Sequence, residues 1–259
     1  RGRAAAPRRP EPGAEGGGQK GPGRRGGALT SERRGRSGTP TLSATPASSL
    51  SRDPMRPRAA RPPSAMLTFS RVAAAKKELR SLVDRSRRGT DAGVPRKAVE
   101  AAVDALIEAA GPGRKPATAQ EVSATWRLTW TSEKEVLWLI ARAPSLFNTT
   151  VGDVLQSLDL RADPAAGTLS NAVEFPPAGL FLVASTAAVA AGRARADPLR
   201  VDFRFTAASL DCPLGLVPLP PVGKGWFDNV WADSDLRIAR DVRGDTLICA
   251  RDGPPRSFG

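Results

Sequence analysis

The chain has 259 residues and a formal net charge of +13, with no histidine, no tyrosine and two cysteines. The lack of histidine excludes a Ser-His-Asp triad, a Cys-His pair, a histidine general base and every histidine-containing zinc or haem site. Cys212 and Cys249 cannot build a thiolate metal cage, although they could pair with each other or remain free. We therefore expect a binding protein without metal or cofactor, rather than an enzyme.

Most of the positive charge lies in residues 1–66, which contain 14 Lys and Arg against 4 Asp and Glu. This segment has no Val, Ile, Phe or Trp but ten prolines and eleven glycines, so we predict a disordered tail that cannot bury a core. Its Arg-rich, Ser-rich, acid-poor composition is typical of an organellar transit peptide, and an unspecific basic linker has the same composition. Residues 67–259 are nearly balanced in charge, so we predict that they form the folded domain without a groove for specific nucleic acid.

Two amphipathic helices are predicted at the start of the folded domain, as a hairpin over residues 67–115. The first has apolar residues at helical spacing from Val72 onward, among many Lys and Arg, and ends near Gly89. The second begins at Pro95 and ends at Gly111. The basic face of the first helix would suit an anionic lipid surface, but we favour packing of its apolar stripe on the second helix or on the domain that follows.

The apolar pattern then changes from helical to alternating. Trp126, Leu128 and Trp130 alternate with polar residues, which is typical of a half-buried strand. Only residues 133–143 interrupt with a helical pattern. Further alternating or β-branched runs lie near residues 154–160, 169–175, 180–189, 200–205, 236–239 and 246–251. Seven strands joined without crossover helices predict an antiparallel β-barrel over residues 120–252, so the fold class is mainly β with N-terminal α-helices.

The longest uncharged run, residues 175–192, is interrupted by Pro176 and Pro177. The part that remains is shorter than the roughly 20 apolar residues that a membrane span requires. We therefore expect no transmembrane span, and a protein that is soluble or bound peripherally to a membrane.

Five short motifs occur in order across about residues 72–252. They are KKEL with RG at 76–89, WRLTWTS at 126–132, VGDVLQSLD at 151–159, NAVEF at 171–175 and WADSDLRIAR at 231–240. Together they resemble the plastid lipid-associated protein family, also called the fibrillins or plastoglobulins. Trp130 stands where tyrosine is usual in that family, and Ala239 stands where serine is usual.

The resemblance implies a lipocalin-like β-barrel in a plastid protein found at thylakoids or plastoglobules. It also implies a non-enzymatic role in binding, storing or moving apolar metabolites such as prenylquinones, carotenoids or acyl lipids. The expected partners are thus apolar small molecules or lipids and the surface of a membrane or plastoglobule.

Candidate ligand-lining residues lie on the apolar side of the predicted strands. They are Trp126, Trp130, Gln156, Asn171, Phe175, Phe181, Phe203 and Phe205. Core packing is the default for the aromatic residues, and the two inward amides would meet either structural partners or a ligand oxygen. By its place in the motif order, Arg237 is expected to stack on Trp126 and close one end of the barrel, as in lipocalin-like barrels.

Other interpretations of the sequence are weaker. The acidic residues of 228–245 lack the EF-hand spacing, because Asp233 as the first ligand would place Ile238 at the glycine position; we expect these aspartates to cap turns and pair with arginines. An enzyme acting on a small hydrophobic substrate through groups around Gln156 and Asp159 would lack a base with a plausible pKa shift. RNA binding through the basic tail is a third hypothesis.

Overall fold

The protein is described from a computed structural model. It describes residues 63–193 and 197–258, apart from the side chains of residues 63–65, 146 and 147. Residues 1–62 of the predicted disordered tail lie outside the described residues. Residues 63–66, also predicted as tail, instead form the start of the first helix.

Four helices occur in the described residues: α1 (Pro63–Arg85), α2 (Arg96–Ala110), α3 (Ala119–Val122) and α4 (Lys134–Phe147). The first two form the expected hairpin. Pro95 precedes α2, where its missing N–H costs no hydrogen bond, and Gly111 ends it at φ +72°. No helix in the described part of the chain combines the length and apolar character needed to cross a membrane.

Nine strands follow: β1 (Ala124–Thr131), β2 (Val154–Asp159), β3 (Gly167–Phe175), β4 (Gly179–Val189), β5 (Leu199–Cys212), β6 (Gly215–Leu219), β7 (Lys224–Ala232), β8 (Leu236–Asp241) and β9 (Thr246–Gly253). All pairs are antiparallel, and eight strands close a ring in the order β1-β2-β3-β4-β5-β7-β8-β9. β6 pairs only with the second half of β5 and lies outside the ring. The predicted mainly β fold, an antiparallel barrel preceded by a helical hairpin, is confirmed.

The sequence predicts seven strands, and the two that it misses are β6 and β7. β7 escapes the alternation pattern because Asp228 and Asn229 lie at its centre. Asp228 forms a two-point ion pair with Arg200 on the neighbouring strand, at 2.8 Å for both contacts. Asn229 is buried and donates a hydrogen bond to the Leu199 carbonyl at 3.0 Å. Cross-strand partners thus make these polar residues compatible with a strand.

The two ends of the barrel differ. At the closed end, where β1 begins, the short helix α3 covers the barrel and carries a capping box between Thr118 and Glu121. Buried residues from α3 and six strands fill this end; they include Val122, Leu158, Leu169, Ala187, Leu199, Val201, Phe227 and Ala239. The opposite end, where β1 ends and β4 begins, is called the mouth below. α4 joins β1 to β2 at the mouth.

The helical hairpin packs on the outside of the barrel. Its core joins α1 and α2 to β1, β7, β8 and β9 through Leu79, Val99, Val103, Leu106, Trp130, Trp231, Ile238 and Ile248. Register shifts between Leu128 and Trp130, and between Asn229 and Trp231, turn both tryptophans toward the helices. Strict alternation predicts Trp130 on the same face as Trp126. That prediction is wrong, because one bulged residue reverses the faces of every residue after it.

The joint between α1 and the barrel depends on Gly89. The Thr131 N–H donates a hydrogen bond to the Arg88 carbonyl at 3.3 Å. Gly89 has φ +97°, and a Cβ at this position would lie 2.5 Å from the Thr131 carbonyl oxygen. No L side chain fits there unless the backbone moves.

We expect Gly89→Ala to lower the free energy of unfolding by about 2–3 kcal/mol, because it adds a backbone clash to an unfavourable φ. Gly111→Ala is the matched control, since Gly111 also has a positive φ but an added Cβ meets nothing within 4 Å. Urea unfolding of the two variants measures the difference. Equal losses would show that the close approach to Thr131 contributes nothing.

Candidate functional site

The inner face of the barrel follows from strand register. Cross-strand partners share a face, and successive pairs link Trp126 to Gln156, Gln156 to Asn171, Asn171 to Val183 and Val183 to Ala208. Seven of the eight predicted lining residues lie on this inner face, which we call the lumen wall: Trp126, Gln156, Asn171, Phe175, Phe181, Phe203 and Phe205. Trp130 does not belong to it.

Four inward phenylalanines remain partly exposed. Phe175 and Phe181 lie near the mouth and Phe205 lies beside Gly223, whereas Phe203 also packs against the closed-end cluster, with its ring 6.0 Å from that of Phe227. The rings of Phe203 and Phe205 stack with their centroids 5.5 Å apart. They lie against Gly225 and Gly223, where an added Cβ would come within 3.1 Å and 2.5 Å of the rings. The closed half is filled, whereas Phe175, Phe181 and Phe205, which we call the apolar cup, stay partly exposed.

A polar network crosses the lumen below this cup; it consists of Arg237, Asn229, Gln156 and Asn171. The fully buried Arg237 donates from Nε to Asn229 Oδ1 at 2.7 Å and from Nη1 to Gln156 Oε1 at 2.5 Å. Gln156 Nε2 in turn donates to Asn171 Oδ1 at 2.8 Å. Both inward amides therefore have protein partners. This is the first of the two alternatives left open by the sequence, structural partners or a ligand oxygen.

The charge of Arg237 has no counter-ion. Among the described residues no carboxylate forms an ion pair with it, and the guanidinium instead faces the rings of Phe227 at 4.8 Å and Trp126 at 5.9 Å. Burial lowers the pKa of Arg237 to about 10. A buried cation without an anion costs several kcal/mol, so the site favours an anionic or electron-rich group near this guanidinium.

The hydroxyl of Ser185 is another buried polar group on the lumen wall. Ser185 is 5% exposed and pairs across the sheet with Leu169 and Phe205. Its Oγ has no hydrogen-bond partner within the part of the chain that the structure describes. A buried hydroxyl normally binds water or another polar group, so the lumen offers a polar contact beside the apolar cup.

Trp126 is covered by two cations. The predicted partner, Arg237, lies 5.9 Å from the ring centroid, whereas Arg251 lies closer at 4.4 Å. Arg251 also donates from Nη2 to the Glu121 carbonyl at 2.7 Å, and Trp126 Nε1 donates to the Val122 carbonyl at 2.8 Å. Arg251 thus ties α3 to the indole at the closed end. Its inward position opposite Trp126 on the last strand was the signal that sequence reasoning missed.

The groups around Gln156 and Asp159, which the enzyme hypothesis requires, do not lie together. Asp159 lies on the opposite face of β2 from Gln156, and Arg161 holds the pKa of Asp159 below its usual range through hydrogen bonds at 2.7 and 2.9 Å. Among the described residues, no group of three or more cysteine or acidic side chains is placed to hold a metal ion. Both cysteines are free thiols, and burial raises the pKa of Cys249 to about 11.

The base of α4 carries a cluster of charged groups at the mouth. Glu133 precedes the helix, and burial together with the nearby Asp241 raises its pKa to about 7. Arg243 lowers that pKa in part and forms ion pairs with Asp241 at 3.1 Å and with Glu135 at 2.7 Å. α4 itself lies loosely on the barrel, with Val136 against the cluster around Leu128. The position of α4 therefore depends on titratable groups.

Comparisons with known proteins agree with this architecture. Residues 73–250 match the family PAP_fibrillin. The chain is 42% identical over 178 residues to a protein of Arabidopsis thaliana named "Probable plastid-lipid-associated protein 11, chloroplastic", and the match covers 68% of this chain and 79% of that protein. No solved structure matches the chain significantly.

We expect Arg237→Ala to lower the free energy of unfolding by about 3 kcal/mol, because it leaves a cavity and removes the donors of Gln156 Oε1 and Asn229 Oδ1. Strand content, measured by far-UV circular dichroism, stays unchanged while the variant is folded. Arg240→Ala is the control, since Arg240 forms an outer ion pair with Asp104 and such pairs contribute little. If Arg237→Ala is no less stable than Arg240→Ala, the polar network does not hold the barrel together.

Glu133 gives a pH-dependent prediction. Its folded pKa of about 7 exceeds the ordinary value of 4.5, so the unfolded chain ionises first as pH rises and stability falls between those two values. Glu133→Gln removes this loss. We expect the variant to match the unaltered protein near about pH 4 and to exceed it by roughly 1–2 kcal/mol at about pH 8.

The control for Glu133→Gln is Glu135→Gln. Arg243 lowers the pKa of Glu135, so its charge is favourable above its folded pKa and this variant is not stabilised at about pH 8. Chemical unfolding over a pH series measures both variants. A Glu133→Gln protein that follows the unaltered protein at every pH would contradict the assignment.

Proposed function

Because this chain belongs to the PAP_fibrillin family of plastid lipid-associated proteins, we propose that its barrel takes up one apolar metabolite through the mouth and holds it without catalysing a reaction. The observation that carries the proposal is the apolar cup above the polar network. Three inward phenylalanines, Phe175, Phe181 and Phe205, remain partly exposed there. The inward Leu158, Leu199 and Val201 at the closed end are 0% exposed.

The contrast between the two halves favours a ligand over a packed core. Inward aromatic side chains that stay exposed forfeit the stabilisation that burial would give. Covering roughly 200 Å² of these rings with an apolar chain contributes about 5 kcal/mol, at about 25 cal/mol per Å². An eight-stranded barrel has room for one small ligand when side chains do not fill it.

The polar network indicates the chemistry of the other end of the ligand. Gln156 and Asn171 are already paired with protein groups. Among the described residues, the Arg237 guanidinium has neutral partners but no counter-ion, and the Ser185 hydroxyl has no hydrogen-bond partner. An apolar chain that ends in an oxygen fits this arrangement, as in prenylquinones, oxygenated carotenoids and acyl lipids. Since a carboxylate would neutralise the buried guanidinium, acyl carboxylates are the class that binds best.

A plastid location at the surface of thylakoids or plastoglobules forms part of the proposal. It is supported by the family and by the printed name of the Arabidopsis protein, which is called chloroplastic and plastid-lipid-associated. RNA binding through residues 1–66 remains the competing hypothesis for the tail. Deletion of that segment separates the two, because RNA affinity would vanish whereas lipid binding would persist.

Ala208→Trp tests the lumen directly. Ala208 lies on the lumen wall opposite Val183, whereas its neighbour Ala207 pairs with Ala184 on the outer face. We expect Ala208→Trp to weaken binding of oleate by at least about tenfold, since the indole occupies the cup, and Ala207→Trp to leave binding unchanged. Isothermal titration of the full chain with oleate and with a decyl benzoquinone measures both affinities.

Two outcomes would overturn the proposal. Equal affinity in the Ala207 and Ala208 variants would place the ligand outside the lumen, and non-saturable binding in the unaltered protein would indicate mere surface adsorption. Methyl oleate tests the role of charge: it binds more weakly than oleate if the Arg237 guanidinium receives the carboxylate. Unfolding midpoints of both tryptophan variants, compared with the unaltered protein, separate loss of the site from loss of the fold.

A further inference from the structure

The described surface carries a concentrated apolar feature where the second half of β5, still paired with β4, has β6 instead of β7 on its other side. The end of β5 after Ala208, the turn at Pro213 and Leu214, β6 and the residues up to Gly223 form what we call the apolar hairpin, residues 209–223. Its one charged side chain is that of the exposed Asp211, which pairs with Leu216, and residues 212–223 contain none. Five large apolar residues of this segment are exposed: Leu214, Leu216, Val217, Leu219 and Val222.

The tip of the hairpin is atypical for a turn in water. Leu214 is 96% exposed beside Gly215, whose φ is +112°. Tight turns in contact with water usually carry Asn, Asp, Ser or Gly. Exposed apolar residues are also normally scattered rather than contiguous, so a cluster of this kind marks a contact surface.

The hairpin exposes apolar side chains on both of its faces. Leu216 and Val217 are neighbours on β6 and point to opposite sides of the strand, and they are 68% and 43% exposed. A folded protein partner covers one face of a ribbon. An apolar medium that surrounds the ribbon covers both faces, and the acyl region of a lipid surface is such a medium.

Strand pairing with another chain is a poor alternative for this edge. Pro218 lies in the middle of β6, and Pro220 and Pro221 follow it. Proline has no N–H to donate to a ladder, and it is one of the devices that block edge-to-edge pairing. A five-residue strand with its turn is also small beside the roughly 800 Å² per partner of a stable protein interface.

The hairpin leaves the barrel at the mouth and continues the lumen wall. Phe181 in the cup pairs across the sheet with Leu210, and Leu210 pairs with Val217 of β6. The side chains of these three residues therefore share one face, which runs from the cup out along the hairpin. The tip, residues 212–215, extends past the last β4–β5 pair, Leu180 with Asp211, so Leu214 can enter the boundary between headgroups and acyl chains.

We propose that the apolar hairpin inserts into the acyl region of a lipid surface and holds the mouth of the barrel against it. Docking in this manner does not require the lumen to bind a ligand. If the lumen does, a lipid molecule passes from the surface along Val217 and Leu210 to Phe181 without crossing bulk water.

Two other elements compete for contact with lipid, and both lie elsewhere. Ion pairs within the protein neutralise part of the basic face of α1. Lys76 contacts Asp233 and Asp235, and Arg80 contacts Asp235. The start of α1 exposes Leu67 and Phe69. It lies beyond the closed end, because Lys76 is held at the turn between β7 and β8.

The experiment is flotation of the full chain with neutral phosphatidylcholine vesicles, which minimise charge attraction. Leu214→Ser with Leu216→Ser removes apolar surface from the hairpin, and Leu67→Ser with Phe69→Ser is the matched control at the other end. We expect the hairpin variant to partition at least about tenfold more weakly, and the control variant to bind like the unaltered protein. Raising the salt concentration leaves binding of the unaltered protein unchanged, because apolar side chains rather than charge attraction hold the hairpin to neutral lipid.

Each other outcome overturns the proposal. Equal binding by both variants, loss in the control variant alone, or binding that needs anionic lipid and falls with salt assigns the lipid contact to another element. A hairpin variant that changes only the oligomeric state, seen by size-exclusion chromatography, makes the hairpin a contact between copies of this chain. Oleate titration distinguishes this proposal from the lumen proposal, since the hairpin variant keeps its oleate affinity in solution whereas Ala208→Trp loses it but still floats.

Discussion

The interaction on which the barrel depends is the burial of the Arg237 guanidinium between strands that are distant in sequence. Its hydrogen bonds reach Asn229 on β7 and Gln156 on β2, and Gln156 extends the network to Asn171 on β3. Because each partner needs the others to satisfy a buried polar group, the network fixes the relative positions of these strands. Burying a charge without a counter-ion costs free energy, which offsets part of this gain in specificity. The buried guanidinium therefore favours the binding of an anion.

The difference between the two ends of the barrel follows from what each end can bury. At the closed end, α3 supplies Val122 and a carbonyl for Trp126 Nε1, so polar and apolar groups are both satisfied. At the mouth, α4 is only partly buried and rests on a charged cluster around Glu133. The closed end therefore behaves as a core, whereas the mouth keeps partly exposed side chains, as an entrance requires.

The alternation of apolar and polar residues predicted the barrel and most of its inner face. In seven strands, the side chains that point inward are mostly apolar and those that point outward are mostly polar, so the pattern shows which residues face the lumen. It failed where a local bulge changed the parity, as at Trp130, and where polar residues found partners across the sheet, as in β7 with Asp228 and Asn229. Arg251 was missed for a related reason. Its role depends on Trp126 and on the Glu121 carbonyl, which are more than a hundred residues away in sequence and meet only when the ring closes.

If the proposed docking holds, the ligand comes from lipid rather than from water, and this changes which forces select it. An acyl chain in a membrane is already shielded from water, so its transfer into an apolar cup gains little from the hydrophobic effect. Chain length then contributes little to preference. Differences between ligands must arise where the lumen differs from lipid, at the buried guanidinium of Arg237 and the unpaired hydroxyl of Ser185. The barrel would therefore select by headgroup, while the hairpin determines which surface supplies the chain.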